Sequence, residues 1–133
     1  MKEKLIKLLD NSYSPYSKFR VSAIVVMNDG KEFGGVNVEN ASYGASICAE
    51  RSAILSAISN GYTKSDFKAI YVMCDNEKIS TPCFLCRMTL SELFDKEKQV
   101  ICMNKNGDSK TYTVEELCPY PFGEEDLKWR VVL

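Results

Sequence analysis

The sequence predicts an α/β fold, a three-layer α/β/α sandwich built on a five-stranded mixed sheet. β-Branched apolar runs alternate along the chain with segments whose apolar residues recur every three or four positions, as in amphipathic helices. The run at 68–74 is apolar almost throughout, which is typical of a strand covered by helices on both faces. Since 133 residues with 45% hydrophobic content can form one ordinary core, we expect a single domain spanning 1–133.

The first half of the chain predicts a helix, a β-hairpin and a second helix. Residues 2–10 carry leucine and isoleucine among lysines at helical spacing. The runs 20–27 and 31–38 flank the turn sequence Asn-Asp-Gly, which is typical of a tight hairpin. A helical period then begins near Ser46, a suitable N-cap, and Gly61 stands where a helix often ends in a left-handed residue.

A third helix is predicted after the strand at 68–74. Thr81 is a suitable N-cap for it, and Pro82 is well suited to the first helical position, where no backbone N–H is needed. The helix is expected to bury three apolar side chains, Leu85, Met88 and Leu93.

The last third of the chain predicts two more strands and a short helix. Strands at 99–103 and 110–114 flank the turn sequence Asn-Lys-Asn-Gly-Asp, and the tail 116–127 carries two prolines, which favours a short helix and a loop. The element order is therefore α, β, β, α, β, α, β, β, α. Such an order indicates one mixed sheet with helices on both faces.

Charge and hydropathy exclude several classes of partner. The formal net charge of -1, from 17 basic and 18 acidic residues, does not favour nucleic-acid binding, which relies on phosphate neutralisation. No apolar run approaches about 18 residues, and the charged start of the chain does not resemble an export signal. We therefore expect a cytoplasmic protein without nucleic-acid or membrane partners.

Six cysteines and no histidine are present, and in a reducing cytosol cysteines favour metal binding or catalysis over disulfides. Cys74 and Cys102 lie inside apolar runs, where a free cysteine usually behaves as a small buried side chain. Cys118 has no thiol close to it in sequence. These three are interpreted as structural, which leaves Cys48, Cys83 and Cys86 as candidates for chemistry.

The three candidate thiols fall near the starts of two predicted helices. Helix amino termini carry partial positive charge and stabilise thiolates, so Cys48, Cys83 and Cys86 are plausible zinc ligands. Catalytic zinc typically has three protein ligands and an open position, whereas structural zinc has four. No fourth soft ligand is evident, which favours an open site. A redox dithiol and a structural zinc knuckle remain the alternatives for the Cys-x-x-Cys pair.

Two charged residues follow the first candidate ligand in the segment Cys-Ala-Glu-Arg. Glu50 lies two residues after Cys48 and can act as a proton shuttle beside a zinc site. Arg51 lies three residues after Cys48 and can offset the surplus negative charge of three thiolates on one divalent ion.

These motifs together resemble a known family. A cysteine, a glutamate two residues later and a downstream Pro-Cys-x-x-Cys form the signature of zinc-dependent nucleobase deaminases. Five segments carry the resemblance in the same order: SPYSKFRV, GVNVENASYG, CAERSAI, TPCFLCR and PYPFGEEDL. The chain resembles the small cytidine deaminases of the homotetrameric, three-cysteine zinc type over most of its length, and the expected fold is a single domain of that family.

The resemblance implies a reaction and a set of site residues. One Zn²⁺ per chain would be held by the three candidate thiols, with Glu50 as the catalytic proton shuttle, for hydrolytic deamination of cytidine and deoxycytidine to uridine and deoxyuridine with release of ammonia in pyrimidine salvage. Substrate contacts would come from Phe19 at the pyrimidine, from Asn37 and Glu39 at the ribose 3′-hydroxyl, from Ala49, and from a neighbouring subunit's Ala41, Tyr43 and Phe122. The active sites of a homotetramer would then be shared between subunits.

Three departures from the family pattern leave alternatives open. Phe84, Met88 and Ser22 stand where the family usually has glycine, glutamine and glycine. A large side chain at Phe84 either points away from the metal or crowds the base and narrows the substrate range. A deaminase of another aminopyrimidine nucleoside, such as a blasticidin-type antibiotic, and a non-catalytic zinc or nucleoside-binding homologue are the alternative functions. The choice between dimer and tetramer also stays open.

Overall fold

A computed structural model describes residues 1–127 and confirms the predicted order of elements. The strands are β1 Val21–Met27, β2 Glu32–Val36, β3 Phe67–Cys74, β4 Gln99–Met103 and β5 Ser109–Thr113. The helices are α1 Lys2–Leu9, α2 Ala49–Ser59, α3 Phe84–Leu93 and α4 Val114–Leu117, with 3₁₀ segments at Tyr43–Ala45 and Glu124–Leu127. No helix within 1–127 is both long and apolar enough to cross a membrane.

The five strands form one mixed sheet in the order β2-β1-β3-β4-β5. Strands β3 and β4 are parallel and are joined through α3, whereas all the other neighbours are antiparallel. Gly30 closes the β1–β2 hairpin at a φ of 91°, a left-handed conformation that glycine adopts without strain. The expected five-stranded mixed sheet is therefore confirmed.

Helices cover both faces of this sheet, as the three-layer prediction requires. On one face Ile24 and Met73 pack against Leu5 and Leu9 of α1. On the other face alternate residues of β1, β3 and β4 pack against α2, α3 and α4 in the larger core cluster.

Ser22, at a position where the family usually has glycine, is fully buried and its hydroxyl donates a 2.8 Å hydrogen bond to the carbonyl of Leu5. The added hydroxyl thus has a partner in α1.

A glycine on β2 allows α2 to approach the sheet closely. A β-carbon on Gly35 would lie 2.4 Å from the backbone nitrogen of Ala53 and 2.8 Å from the carbonyl oxygen of Ala49. Both contacts are shorter than packed atoms allow, and both involve helix backbone that cannot rotate away. The absence of a side chain at Gly35 therefore sets the position of the first two turns of α2.

We expect Gly35→Ala to lower the free energy of unfolding by about 1–3 kcal/mol, the usual cost of overpacking a tight contact. Urea denaturation of the metal-free protein measures this change. Gly44→Ala is the matched control, because a β-carbon on Gly44 meets no atom within 4 Å. Equal stability of the two variants would contradict the close approach.

The start of α2 differs from the prediction. Its N-cap is Cys48, two residues after Ser46. Ser46 instead follows the 3₁₀ segment, and its hydroxyl accepts a hydrogen bond from the backbone N–H of Asn40 at 3.0 Å. The hydroxyl is therefore engaged in the preceding loop, and a candidate ligand occupies the cap.

The start of α3 is displaced in the same direction. Its N-cap is Cys83, not Thr81, and Pro82 precedes the helix. The prediction that Leu85 is buried was wrong, because this side chain is 67% exposed. Met88 and Leu93 are half-buried, and the fully buried residues of α3 are Cys86 and Leu90. The later start leaves the first apolar residues of the helix on its solvent side.

Candidate active site and metal centre

Three thiols meet where α2 and α3 begin. Cys48 and Cys83 are the N-caps of the two helices, and Cys86 lies in the first turn of α3. Their sulfur atoms all lie within 4.8 Å of one another, and those of Cys48 and Cys83 are 3.6 Å apart. The topology thus brings together residues that are separated by more than thirty positions in the chain.

The geometry of this cluster fits zinc. Two sulfurs bound to a tetrahedral zinc at about 2.3 Å would be about 3.8 Å apart, close to the observed separation of Cys48 and Cys83. Within 1–127 the cluster contains these three cysteines and no fourth cysteine or acidic ligand. Three soft ligands leave one tetrahedral position for water or substrate, as in catalytic zinc sites.

The surroundings of Cys48 and Cys86 shift the pKa values of these two thiols in opposite directions. A hydrogen bond with Cys86 lowers the pKa of Cys48, and hydrogen bonds with Arg51 and Cys83 lower it further. The same hydrogen bond with Cys48, together with burial, raises the pKa of Cys86. The surroundings of Cys48 therefore favour its thiolate, the form of cysteine that binds metal.

Glu50 lies in the first turn of α2 and is 5% exposed. Burial, and to a smaller extent the negative charge of Cys48, raise the pKa of its carboxyl group to about 7, although Arg51 opposes the shift. A carboxyl group that titrates near neutral pH can both accept and donate a proton under ordinary conditions.

A cleft of about 210 Å³ opens beside the thiols and Glu50. Of the residues implied by the family resemblance, Phe19, Asn37 and Ala49 line it together with Glu50, Cys48 and Cys83. The sequence reasoning missed five further lining residues: Val21, Val72, Cys74, Ser80 and Thr81. Side chains two positions apart in an extended segment lie on the same face, so Phe19 could have indicated Val21 as a lining residue. Val72 and Cys74 are also two positions apart and share one face at the end of β3.

Asn37 is tied to the strand opposite. Its Nδ2 donates to the carbonyl of Phe19 at 2.7 Å, and its Oδ1 accepts from the backbone N–H of Val21 at 2.9 Å. The Ser12 hydroxyl also donates to this oxygen. These bonds fix the backbone around Phe19, so Asn37 shapes one wall of the cleft.

Glu39 anchors the neighbouring loop. Its Oε1 accepts from the backbone N–H groups of Tyr16 and Ser17 at 3.0 and 3.1 Å, and its Oε2 accepts from the Ser17 hydroxyl. The hydrogen bond with the Ser17 side chain is the main reason that its pKa is lowered. Glu39 lines a second cavity of about 400 Å³ together with Tyr43.

Four residues implied as substrate contacts do not line the 210 Å³ cleft of their own chain: Glu39, which lines the second cavity, and Ala41, Tyr43 and Phe122. Ala41 is exposed, Tyr43 is 80% exposed and Phe122 is 60% exposed. Phe122 lies in a separate cavity near the end of α3, which is also lined by Phe94 and Cys118.

The other cysteines stay outside the cluster. Cys74 and Cys102 are buried, as predicted, and Cys118 is half-buried. Phe84 does not line the cleft; it is 71% exposed, and the guanidinium carbon of Arg87 lies 4.4 Å from its ring centre. Phe84 therefore does not face the cleft.

Arg51 faces the thiol cluster. Its Nη2 lies 3.7 Å from the sulfur of Cys48, and hydrogen bonding with that thiol is the largest factor that raises the pKa of Arg51. Its Nε is buried and has no hydrogen-bond partner within 1–127. The guanidinium group is therefore placed to balance the negative charge of the thiolates.

We expect Arg51→Gln to slow substrate turnover near neutral pH and to move the acidic limb of the pH–rate profile upward by about one unit. Loss of a nearby positive charge favours protonated forms, so groups that must lose a proton do so only at higher pH. Steady-state rates between pH 5 and 9 measure the change. Arg51→Lys, which keeps the charge, should shift the profile less. An unchanged profile for Arg51→Gln would refute charge compensation.

Comparison with known proteins places this arrangement in a family. Residues 1–103 match the family model for the cytidine and deoxycytidylate deaminase zinc-binding region. The chain is 40% identical over 125 residues to a cytidine deaminase of Halalkalibacterium halodurans, covering 94% of this chain and 93% of that protein. It is 42% identical over 130 residues to a probable cytidine deaminase of Dictyostelium discoideum, covering 94% and 86% of the two chains.

Solved structures of cytidine deaminases also resemble this chain. The cytidine deaminase of Burkholderia pseudomallei superposes with a TM-score of 0.83 at 40% identity, over 92% of this chain and 99% of that chain. The cytidine deaminase of Mycobacterium leprae superposes with a TM-score of 0.75 at 35% identity, over 90% and 95%. The family model, the sequence identities and the superposed structures therefore indicate the same family, and the thiol cluster is consistent with a zinc-binding region.

Proposed function

We propose, from the premise that the chain belongs to the cytidine and deoxycytidylate deaminase family, that it hydrolyses cytidine and deoxycytidine to uridine and deoxyuridine. The observation that carries the proposal is the buried carboxyl group of Glu50, which shares one cleft with thiols at the amino ends of two helices. A proton carrier beside an open metal position is the arrangement that hydrolytic deamination of an aminopyrimidine requires.

Cys48, Cys83 and Cys86 would hold one Zn²⁺ per chain, and the spacing of their sulfur atoms supports this assignment. Zinc with three protein ligands supplies Lewis acidity that lowers the pKa of water at its open position. Arg51 would offset the surplus negative charge of the three thiolates, since its guanidinium group faces the cluster.

Glu50 would carry protons through the reaction. It first accepts a proton from the attacking water and donates it to N3 of the cytosine ring as oxygen adds to C4. It then takes the second proton of that oxygen and delivers it to the amino group, which leaves as ammonia. Water and cytidine are thereby converted to uridine and ammonia. A pKa near 7 supports both directions of transfer, and burial of Glu50 limits exchange with bulk water.

The cleft would bind the nucleoside through its base and its ribose. Phe19 and Ala49 would contact the pyrimidine. Asn37, which lines the cleft, and Glu39, which lines the second cavity, would bind the ribose 3′-hydroxyl with the hydrogen-bonding capacity that their contacts within the chain leave free. The Nδ2 of Asn37 has two N–H groups, and one of them donates to Phe19. A carboxylate can accept about four hydrogen bonds, and Glu39 accepts three from residues 16–17.

The complete active site would be shared between subunits of a homotetramer. Ala41 and Tyr43 would approach the 5′-hydroxyl of a nucleoside bound by a neighbour, and Phe122 would cover its base. Their exposure in the isolated chain supports this role. Sedimentation at decreasing concentration, with activity measured on the same samples, tests it. Activity per chain that is unchanged in a monomer would contradict a shared site.

We further propose a single domain, a cytoplasmic location and a role in pyrimidine salvage.

The experiment that tests the function measures zinc and turnover on the same purified sample. Incubation with cytidine should remove the cytidine absorbance in a protein that holds about one zinc per chain. Deoxycytidine and a blasticidin-type substrate, tested in parallel, define the substrate range. Bound zinc without loss of any of the three substrates would favour a non-catalytic role. Turnover of the antibiotic alone would assign a different substrate.

A further inference from the structure

The loop before α3 places one candidate ligand in an exposed position. Cys83 is an exposed N-cap, and its side chain makes no capping hydrogen bond. Cys86, by contrast, is buried within α3. The position of the Cys83 thiol therefore depends on whatever holds residues 81–83 against the helix.

Arg87 makes three hydrogen bonds to this loop, two of them through its side chain. The Nε of Arg87 donates to the carbonyl oxygen of Pro82 at 2.7 Å, and its Nη2 donates to the hydroxyl of Thr81 at 2.7 Å. The backbone N–H of Arg87 also donates to the carbonyl oxygen of Cys83 at 2.9 Å. Three consecutive loop residues are thus bonded to a single residue one helical turn later.

The same guanidinium group reaches a second element. Its Nη1 donates to the carbonyl oxygen of Leu117, the last residue of α4, at 3.1 Å. Arginine alone presents several N–H groups in a rigid planar fork, so a lysine could replace the charge of Arg87 but not this set of bonds. Arg87 therefore ties the loop to the packed part of the domain.

Phe84 completes the arrangement. Its ring lies 4.4 Å from the guanidinium carbon of Arg87, within the range of a cation–π contact. Phe84 directly follows Cys83, and glycine at this position would leave that side of the guanidinium group open to water. The exposed ring does not line the cleft, and its contact with Arg87 accounts for its orientation.

We propose that Arg87 and Phe84 form a clamp that holds residues 81–83 and thereby fixes the thiol of Cys83 for metal binding. Both are positioning residues, since neither lines the cleft or belongs to the thiol cluster. The inference rests on the proposed role of Cys83 as a zinc ligand. Its consequence is that the affinity for the metal depends on the clamp.

The test measures zinc affinity by competition with a chromophoric chelator, and the thiolate charge-transfer absorption after Co²⁺ replaces zinc. Arg87→Lys should weaken zinc binding by about 10- to 100-fold, the usual effect of removing a group that orients a ligand. Phe84→Gly should weaken it by a smaller factor, and Phe84→Tyr, which keeps the ring, should restore it. The Co²⁺ absorption should change in both weakened variants. Arg20→Lys is the control, because Arg20 pairs with Asp75 and Asp10 and makes no contact with the thiols.

Urea denaturation of each metal-free variant separates positioning from general stability. Zinc affinity that falls while metal-free stability is unchanged supports the clamp. Wild-type affinity in Arg87→Lys and Phe84→Gly, or a loss that only parallels the loss of stability, overturns it. If Arg87→Lys fails to fold, the comparison of Phe84→Gly with Phe84→Tyr decides. Wild-type protein that binds no zinc would instead refute the ligand set of the proposed function.

Discussion

Replacing Glu50 with alanine is expected to abolish detectable conversion of cytidine while the protein keeps about one zinc per chain. Loss of a general acid–base group typically slows a reaction by roughly 10²- to 10⁴-fold, and Glu50 would serve every proton transfer of this one. Its carboxyl group is not a member of the thiol cluster, so zinc should remain bound. Turnover of cytidine, followed by absorbance, and zinc content of the same sample measure the two effects.

Two further substitutions sharpen the result for Glu50. Glu50→Gln keeps the size of the side chain and removes its ability to carry a proton, so it should be nearly as inactive as Glu50→Ala. Glu97→Gln makes the same chemical change at an exposed residue in the loop before β4 and should leave the rate unchanged. Activity in Glu50→Gln close to that of the unaltered protein would remove Glu50 from the proposed mechanism.

Cys83→Ala is expected to lose both zinc and activity. Two remaining thiols cannot supply the three protein ligands typical of a catalytic zinc site, so zinc content should fall well below one per chain after dialysis against a weak chelator. Cys83 is exposed, and its loss should therefore change the stability of the metal-free chain by less than about 0.5 kcal/mol. Elemental analysis and urea denaturation measure these quantities.

Cys118→Ala provides the matched control for Cys83→Ala. Cys118 is also a free cysteine, but it lies outside the thiol cluster in the cavity that Phe122 lines. Its replacement should leave zinc content and turnover unchanged. Full zinc content in Cys83→Ala would show that the metal is held elsewhere. The pair Glu50→Ala and Cys83→Ala also separates the two roles, since only the second should release zinc.

The elements of this fold were predictable because their signals are local. Strand β4 was predicted at its observed bounds, and the other strands within one or two residues at most ends. The helix starts were less accurate, since Ser46 and Thr81 are better N-caps by intrinsic preference than cysteine. Their hydroxyl groups instead bind Asn40 and Arg87. Each partner lies only six residues away in sequence, but the sequence does not show whether a hydroxyl caps the helix or bonds to that neighbour, because the outcome depends on how the loop packs.

The orientation of the first residues of α3 could not be predicted from the local sequence either. Its apolar residues Phe84 and Leu85 suggest burial by composition alone, yet both are exposed. Cys86 must face the cluster, which turns the preceding residues outward, and Arg87 then lies over the ring of Phe84. A hydrophobic pattern does not report that constraint, because it arises from the contact between two helices.

The sequence by itself determined the α/β class, the order of the elements and the set of residues able to carry zinc chemistry. Spacing and residue type are enough for these, because helix periodicity and ligand chemistry are properties of short segments. Only the tertiary structure decided that Cys48, Cys83 and Cys86 meet, that Glu50 is buried enough for its pKa to rise to about 7, and that Phe84 points away from the cleft. Burial and distance depend on how β2, α2 and α3 pack, and close packing joins residues that the sequence keeps far apart.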